Sequence, residues 1–144
     1  MILNKQVGVF LNLVHCQFKQ YIKTIFNRYG INLTPEQFLV MDTLWDEGVL
    51  SQQQIADIIF KDKNSVTKLI DALENKGLVA RVADKDDRRL NKIHLTERAN
   101  SLKGDATEVA MRCTNCIIND IPKDELVSFV KVLTKMSNNM IENR

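Results

Sequence analysis

The chain has 144 residues, the length of a single domain (1–144) able to bury a real core. Hydrophobic residues make up 44% and charged residues 26%, the balance of a globular protein. A net charge of +2 excludes nucleic-acid binding by bulk charge, so any basic site has to be local.

Only five Gly and two Pro interrupt the chain, which favours long helices. No apolar run approaches the roughly 18 residues needed to cross a bilayer. The N-terminus is broken by Asn4, Lys5, Gln6, Asn12 and His15 and lacks the layout of a signal peptide. Three cysteines without secretory context point to free thiols in a reducing cytoplasm.

Residues 3 to 28 carry Val7, Phe10, Leu11, Val14, Phe18, Ile22 and Ile25 at spacings of three and four, an amphipathic helix that Gly30 ends. "LTPEQF" at 33 to 38 starts the next helix: Thr34 caps, Pro35 takes the first position, and Gln37 completes a capping box. Leu33 and Phe38 form the staple, and Phe38, Met41, Leu44 and Trp45 the buried face. "LSQQQI" at 50 to 55 repeats that grammar with Ser51, Gln54 and Ile55 and opens a short helix to about Ile59. A further helix follows from about Lys63 to Lys76, stopped by Gly77.

"LVARVAD" and "LNKIHLT" read as two short strands around the charged run Asp84 to Arg89. Thr96 caps a long helix from 97 to about 119, with Leu102, Ala106, Val109, Cys113 and Ile117 on one face. Pro122 opens a last helix with Leu126, Phe129, Leu133, Met136 and Met140 on its stripe.

This order gives a mainly α fold with a small β-hairpin. A short helix, a tight turn and a second helix make a helix-turn-helix, and the hairpin after it makes the winged form. On this reading 31–96 is expected to form a winged helix-turn-helix module for DNA, and 1–30 with 97–144 a helical dimerisation region. On the second helix Val66, Leu69, Ile70 and Leu73 gather inward, leaving Asn64, Lys68 and Asp71 outward with Ser65 and Thr67 flanking. Asn suits adenine and Lys suits guanine in a major groove, and Lys61 and Lys63 stand at the helix start, where N–H groups attract phosphate. Such a face is also what any solvated helix presents. In the hairpin, Lys85, Arg88 and Arg89 suit a narrow minor groove, with Arg81 and Lys92 on its strands. Asp84, Asp86 and Asp87 do not suit it, unless a carboxylate braces an arginine and fixes its aim. A solvated turn is the plain alternative.

"NSVTKLIDALENKGLVARVADKDDRRLNKIHLTERA", 64 to 99, resembles the winged-helix signature of the MarR family of bacterial transcription regulators, through Leu73, Glu74, Gly77, Leu78, Asp84, Asp87, Arg89, Leu95 and Thr96. "LTPEQFLVMDTL" is similar to that family's second helix, and the resemblance extends over essentially the whole chain. Lys85 and Ala99 depart from it, where Pro and Gly are common. The resemblance implies a homodimer on double-stranded DNA, with Lys63, Asn64, Ser65, Thr67 and Lys68 in the major groove. It places Lys85, Arg88 and Arg89 in the wing, one arginine inserting and one held by Asp84 or Asp87. The apolar stripes of the terminal helices independently call for a second copy, and two-fold symmetry calls for a pseudo-palindromic site.

The resemblance also implies a small aromatic or anionic effector that releases the DNA, as from a repressor, with His15, Phe18, Met41, Trp45 and Met111 as candidate pocket residues that serve equally well as core. Cys16 is the candidate for a redox-sensing alternative, against a plain packing role, and Cys113 and Cys116 read as helix-core thiols rather than metal ligands. A winged helix used only for protein contacts is a further alternative. No catalytic set, cofactor motif or metal site is legible, so an enzyme is not expected.

Overall fold

The computed structural model describes residues 1–143. Its elements are α1 (Leu3–Arg28), α2 (Pro35–Glu47), β1 (Leu50–Ser51), α3 (Gln52–Ile59), α4 (Lys63–Asn75), β2 (Val79–Ala83), β3 (Asn91–Leu95), α5 (Glu97–Ile117) and α6 (Lys123–Glu142). The chain divides into two compact units, Met1–Cys113 and the residues from Thr114 onward. Among the described residues no helix is long and apolar enough to cross a membrane.

In the first unit both expected capping boxes form. The Gln37 N–H donates to Thr34 Oγ1 at 3.1 Å while Thr34 N–H donates to Gln37 Oε1 at 3.1 Å. Ser51 and Gln54 exchange the same pair of bonds at 2.9 and 3.1 Å. Orphan donors at two helix starts are thereby satisfied by side chains three residues apart. Gln37 Oε1 also accepts from Lys76 Nζ at 2.7 Å, which ties the start of α2 to the end of α4. Burial lowers the Lys76 pKa there.

The core gathers Phe26 from the end of α1, Val40, Met41 and Leu44 from α2, Ile55 from α3, Val66, Ile70 and Leu73 from α4, and Ile93 from β3, all fully buried. Phe38 joins Phe26 and Trp45 by edge-to-face contacts at 5.3 and 6.3 Å, a favoured aromatic geometry. Beyond Ile22 and Phe26, α1 buries nothing, and Val7, Phe10, Leu11, Val14 and Phe18 stand exposed.

The strands form one antiparallel sheet in the order β1-β3-β2. Leu50 lies opposite Ile93, and Arg81 also lies opposite Ile93 from the other side. β1 was not expected; two residues are too few to show an alternation.

α4 ends conventionally, with Gly77 at φ +73°. α3 ends instead on Phe60, left-handed at φ +53° and ψ +56°, with a side chain that helps expose the residue to 81%. A non-glycine residue costs roughly 1–2 kcal/mol in that region, and so exposed a ring recovers little by burial. Phe60→Gly should therefore stabilise the fold by about 1 kcal/mol, after allowing for the freer unfolded chain. Thermal unfolding at fixed protein concentration checks this; a lower midpoint would mean that the ring makes a stabilising contact.

In the second unit, α5 stops at Ile117 rather than 119, where Asp120 at φ +62° turns the chain into Pro122, the N-cap of α6. Asp124 and Glu125 in the first turn of α6 complement its dipole. α6 has no buried residue: its stripe expected from the sequence is half-exposed at Leu126, Leu133 and Met136 and exposed at Phe129 and Met140.

Candidate nucleic-acid interface

The first turn of α4 is shaped by Asp62, a cap that sequence reading missed. Its carboxylate accepts the Ser65 N–H at 2.7 Å and the Ser65 hydroxyl at 2.9 Å. Those bonds, the backbone one foremost, hold the Asp62 carboxyl below the usual carboxylate range. The signal was present: Asp is a favoured N-cap three residues before a polar N–H partner.

The expected groove face divides in two. Lys63, Asn64 and Lys68 are exposed. Ser65 and Thr67 are half-buried, and their hydroxyls are used internally. Thr67 Oγ1 donates to the Lys63 carbonyl at 3.0 Å and accepts from Gln52 Nε2 at 3.2 Å, joining α3 to α4. Asp71, expected outward among the groove residues, pairs with Arg81.

Arg81 holds the wing to this helix. Residues directly opposite in an antiparallel pair project from the same face. Its partner Ile93 is buried, so Arg81 projects toward α4. Nη2 meets Asp71 Oδ1 at 2.7 Å, Nη1 donates to Glu74 Oε1 at 3.1 Å, and Nε donates to Gln52 Oε1 at 3.0 Å. In the sequence Arg81 by itself is indistinguishable from any other basic strand residue. Asp71 and Glu74, three apart on one helix face, were the available signal.

At the wing tip, Asp84 N–H donates to the Leu90 carbonyl at 2.9 Å and Leu90 N–H to the Asp87 carbonyl at 3.0 Å, closing the hairpin. Asp87 Oδ1 accepts from the Arg89 backbone at 3.0 Å and from its Nε at 3.3 Å. The Arg89 side chain stays 92% exposed, so the pair adds little stability but does limit where the guanidinium points. Lys85 and Arg88 are exposed beside it. The Asp84 carboxylate makes a long contact, accepting the Asp86 N–H at 3.5 Å.

The candidate pocket residues do not enclose a space within one chain. Met41 and Trp45 sit in the core, whereas His15, Phe18 and Met111 are on the exposed surface. Trp45 Nε1 is buried without a hydrogen-bond partner. Cys16 is exposed rather than packed, on a stretch of α1 that the core of the first unit does not reach. It lines a groove of about 360 Å³ with Lys19 and Glu36, which are ion-paired. Cys113 is buried as expected, but Cys116 is exposed. Among the described residues no three metal-ligating side chains come together.

The MarR family model matches residues 33–90, from the start of α2 to the wing tip. Over nearly its whole length the chain is similar to a MarR transcriptional regulator from Methanosarcina mazei Go1, at 21% identity and a TM-score of 0.84, covering 97% of this chain and 99% of that one. It is similar to BpsR of Bordetella bronchiseptica, whose DNA binding is regulated by 6-hydroxynicotinic acid, at 26% identity and a TM-score of 0.85, covering 95% and 96%. It is also similar to reduced AbfR bound to DNA, at 24% identity and a TM-score of 0.79, covering 96% and 94%.

Proposed function

We propose, from the premise that this chain carries a MarR-family domain within the MarR-type winged-helix fold, that it is a homodimeric, sequence-specific DNA-binding regulator. The observation that carries this reading is the pairing of two exposed polar surfaces, both with basic residues, on one compact unit. Lys63, Asn64 and Lys68 stand exposed at the start of α4, and Arg88 and Arg89 stand exposed on the wing. The helix start enters a major groove, where Asn64 offers a donor and an acceptor to adenine. The wing reaches the flanking minor groove, with Arg89 aimed by Asp87 and Arg88 beside it.

A second copy supplies the other half of the site. The exposed apolar residues of α1 and α6 support that assembly, since patches of this kind mark interaction surfaces. Repression released by a small aromatic acid is the finer part of the proposal. It is supported by the likeness to BpsR.

Selection of duplexes from a random pool, followed by footprinting, tests the reading. The expected product is a two-fold related pair of half-sites about 10 bp apart, centre to centre. On that duplex Asn64→Ala should lose about 1–3 kcal/mol of affinity while random DNA is bound as before. An equal loss on both would move Asn64 to the phosphate contacts, and recovery of no sequence would sink the specific reading. The same assay with added aromatic carboxylates tests the effector: unchanged affinity with each of them removes that part.

A further inference from the structure

Arg81 sits where α3, α4 and β2 meet, and most of the donors on its guanidinium are spent there. Nε serves Gln52 at the start of α3, and Nη1 serves Glu74. Nη2 serves both Asp71 and the Thr67 carbonyl, the latter at 3.3 Å. The Arg81 backbone N–H adds a bond to the second Glu74 oxygen at 3.3 Å. The side chain is 20% exposed, so its bonds are less screened than those of a free surface pair. A planar fork with donors on fixed vectors holds all these acceptors in one arrangement, which a point charge on a flexible stem does not.

We infer that Arg81 is a positioning residue for DNA binding: it fixes the angle between α4 and the wing, so that Asn64 and Lys68 meet one groove while Arg88 and Arg89 meet the next. The inference rests on the DNA-binding reading above. It also explains why Asp71 and Glu74 stand on the face of a helix that approaches phosphate. Their negative charge opposes DNA electrostatically, and their service is to hold Arg81.

That conflict gives a test whose sign separates the two effects. Removing a carboxylate near DNA tightens binding if charge alone matters. If Arg81 must be held, the same removal weakens it. The double variant Asp71→Asn with Glu74→Gln should bind the selected duplex about tenfold more weakly, with a smaller loss on random DNA, where a loosened wing still meets phosphate, and Arg81→Lys should behave alike. Without DNA, backbone amides of β2 and β3 should exchange faster in these variants, because the wing is no longer tied to α4. Equal or tighter binding of the selected duplex by the double variant would overturn the inference, as would unchanged amide exchange. If the wild-type protein binds no duplex while exchange in the variants still rises, the DNA-binding reading fails and the positioning role goes with it, leaving only a fastened wing.

Discussion

Phe10→Asp combined with Val14→Asp should leave the protein folded, monomeric and at least about a hundredfold weaker on its operator. Phe10 and Val14 lie four residues apart on one face of α1, exposed at 51% and 52%. The core of the first unit engages α1 only through Ile22 and Phe26, with Tyr21 and Ile25 packed against it. Charges at positions 10 and 14 therefore leave the core of the first unit intact, but they place carboxylates on the apolar face that the proposed second copy would bury. A monomer keeps one recognition helix and forfeits the half-site held by the other, and specific sites are typically bound about 10³–10⁷ more tightly than random DNA. Sedimentation, circular dichroism and operator binding check the three clauses together. A variant that remains dimeric, or a monomer that binds at wild-type strength, contradicts the assembly.

Arg88→Ala with Arg89→Ala has the second large effect. Both side chains are exposed at the wing tip, away from the buried core, so thermal stability should not change. Wing contacts position the protein more than they read sequence, so affinity should fall on selected and random duplexes alike. Every phosphate that is no longer neutralised by an arginine flattens the salt dependence by about 0.9 in log–log slope, and in a symmetric dimer both wings are affected. The single variants separate the roles. Asp87→Ala should mimic part of the Arg89→Ala effect, because Asp87 limits where Arg89 points, and should leave the contribution of Arg88 in place. Wild-type affinity in the double variant would remove the wing from the interface.

Local rules made much of this fold legible. Thr34 with Gln37, and Ser51 with Gln54, announce helix starts because each bond closes within four residues. The strands around the wing and the helix that Thr96 caps follow from short-range patterning, and the Ala99 N–H does donate to Thr96 Oγ1, at 3.2 Å. What stayed hidden depends on distant partners. β1 exists because Leu50 finds Ile93, far along the chain. Arg81 and Asp71 look like separate surface charges in the sequence: Asp71 and Glu74 mark an acidic helix face, but only the fold brings the strand arginine onto it. Helical phase alone makes groove residues of Ser65 and Thr67, and it cannot show a hydroxyl already engaged by Asp62 or Gln52. The exposure of Cys16 was missed for a related reason: periodicity marks an apolar face without saying whether this chain or another copy covers it.

The most direct test is the affinity of the intact protein for its selected duplex, measured across a range of salt concentrations. Arg88 and Arg89 on each wing, with Lys63 and Lys68 on each α4, are exposed and present twice in a dimer. They imply that log affinity falls with log salt at a slope steeper than about −4. A slope near zero, or no duplex binding at low salt, would contradict the account and turn the module toward protein contacts.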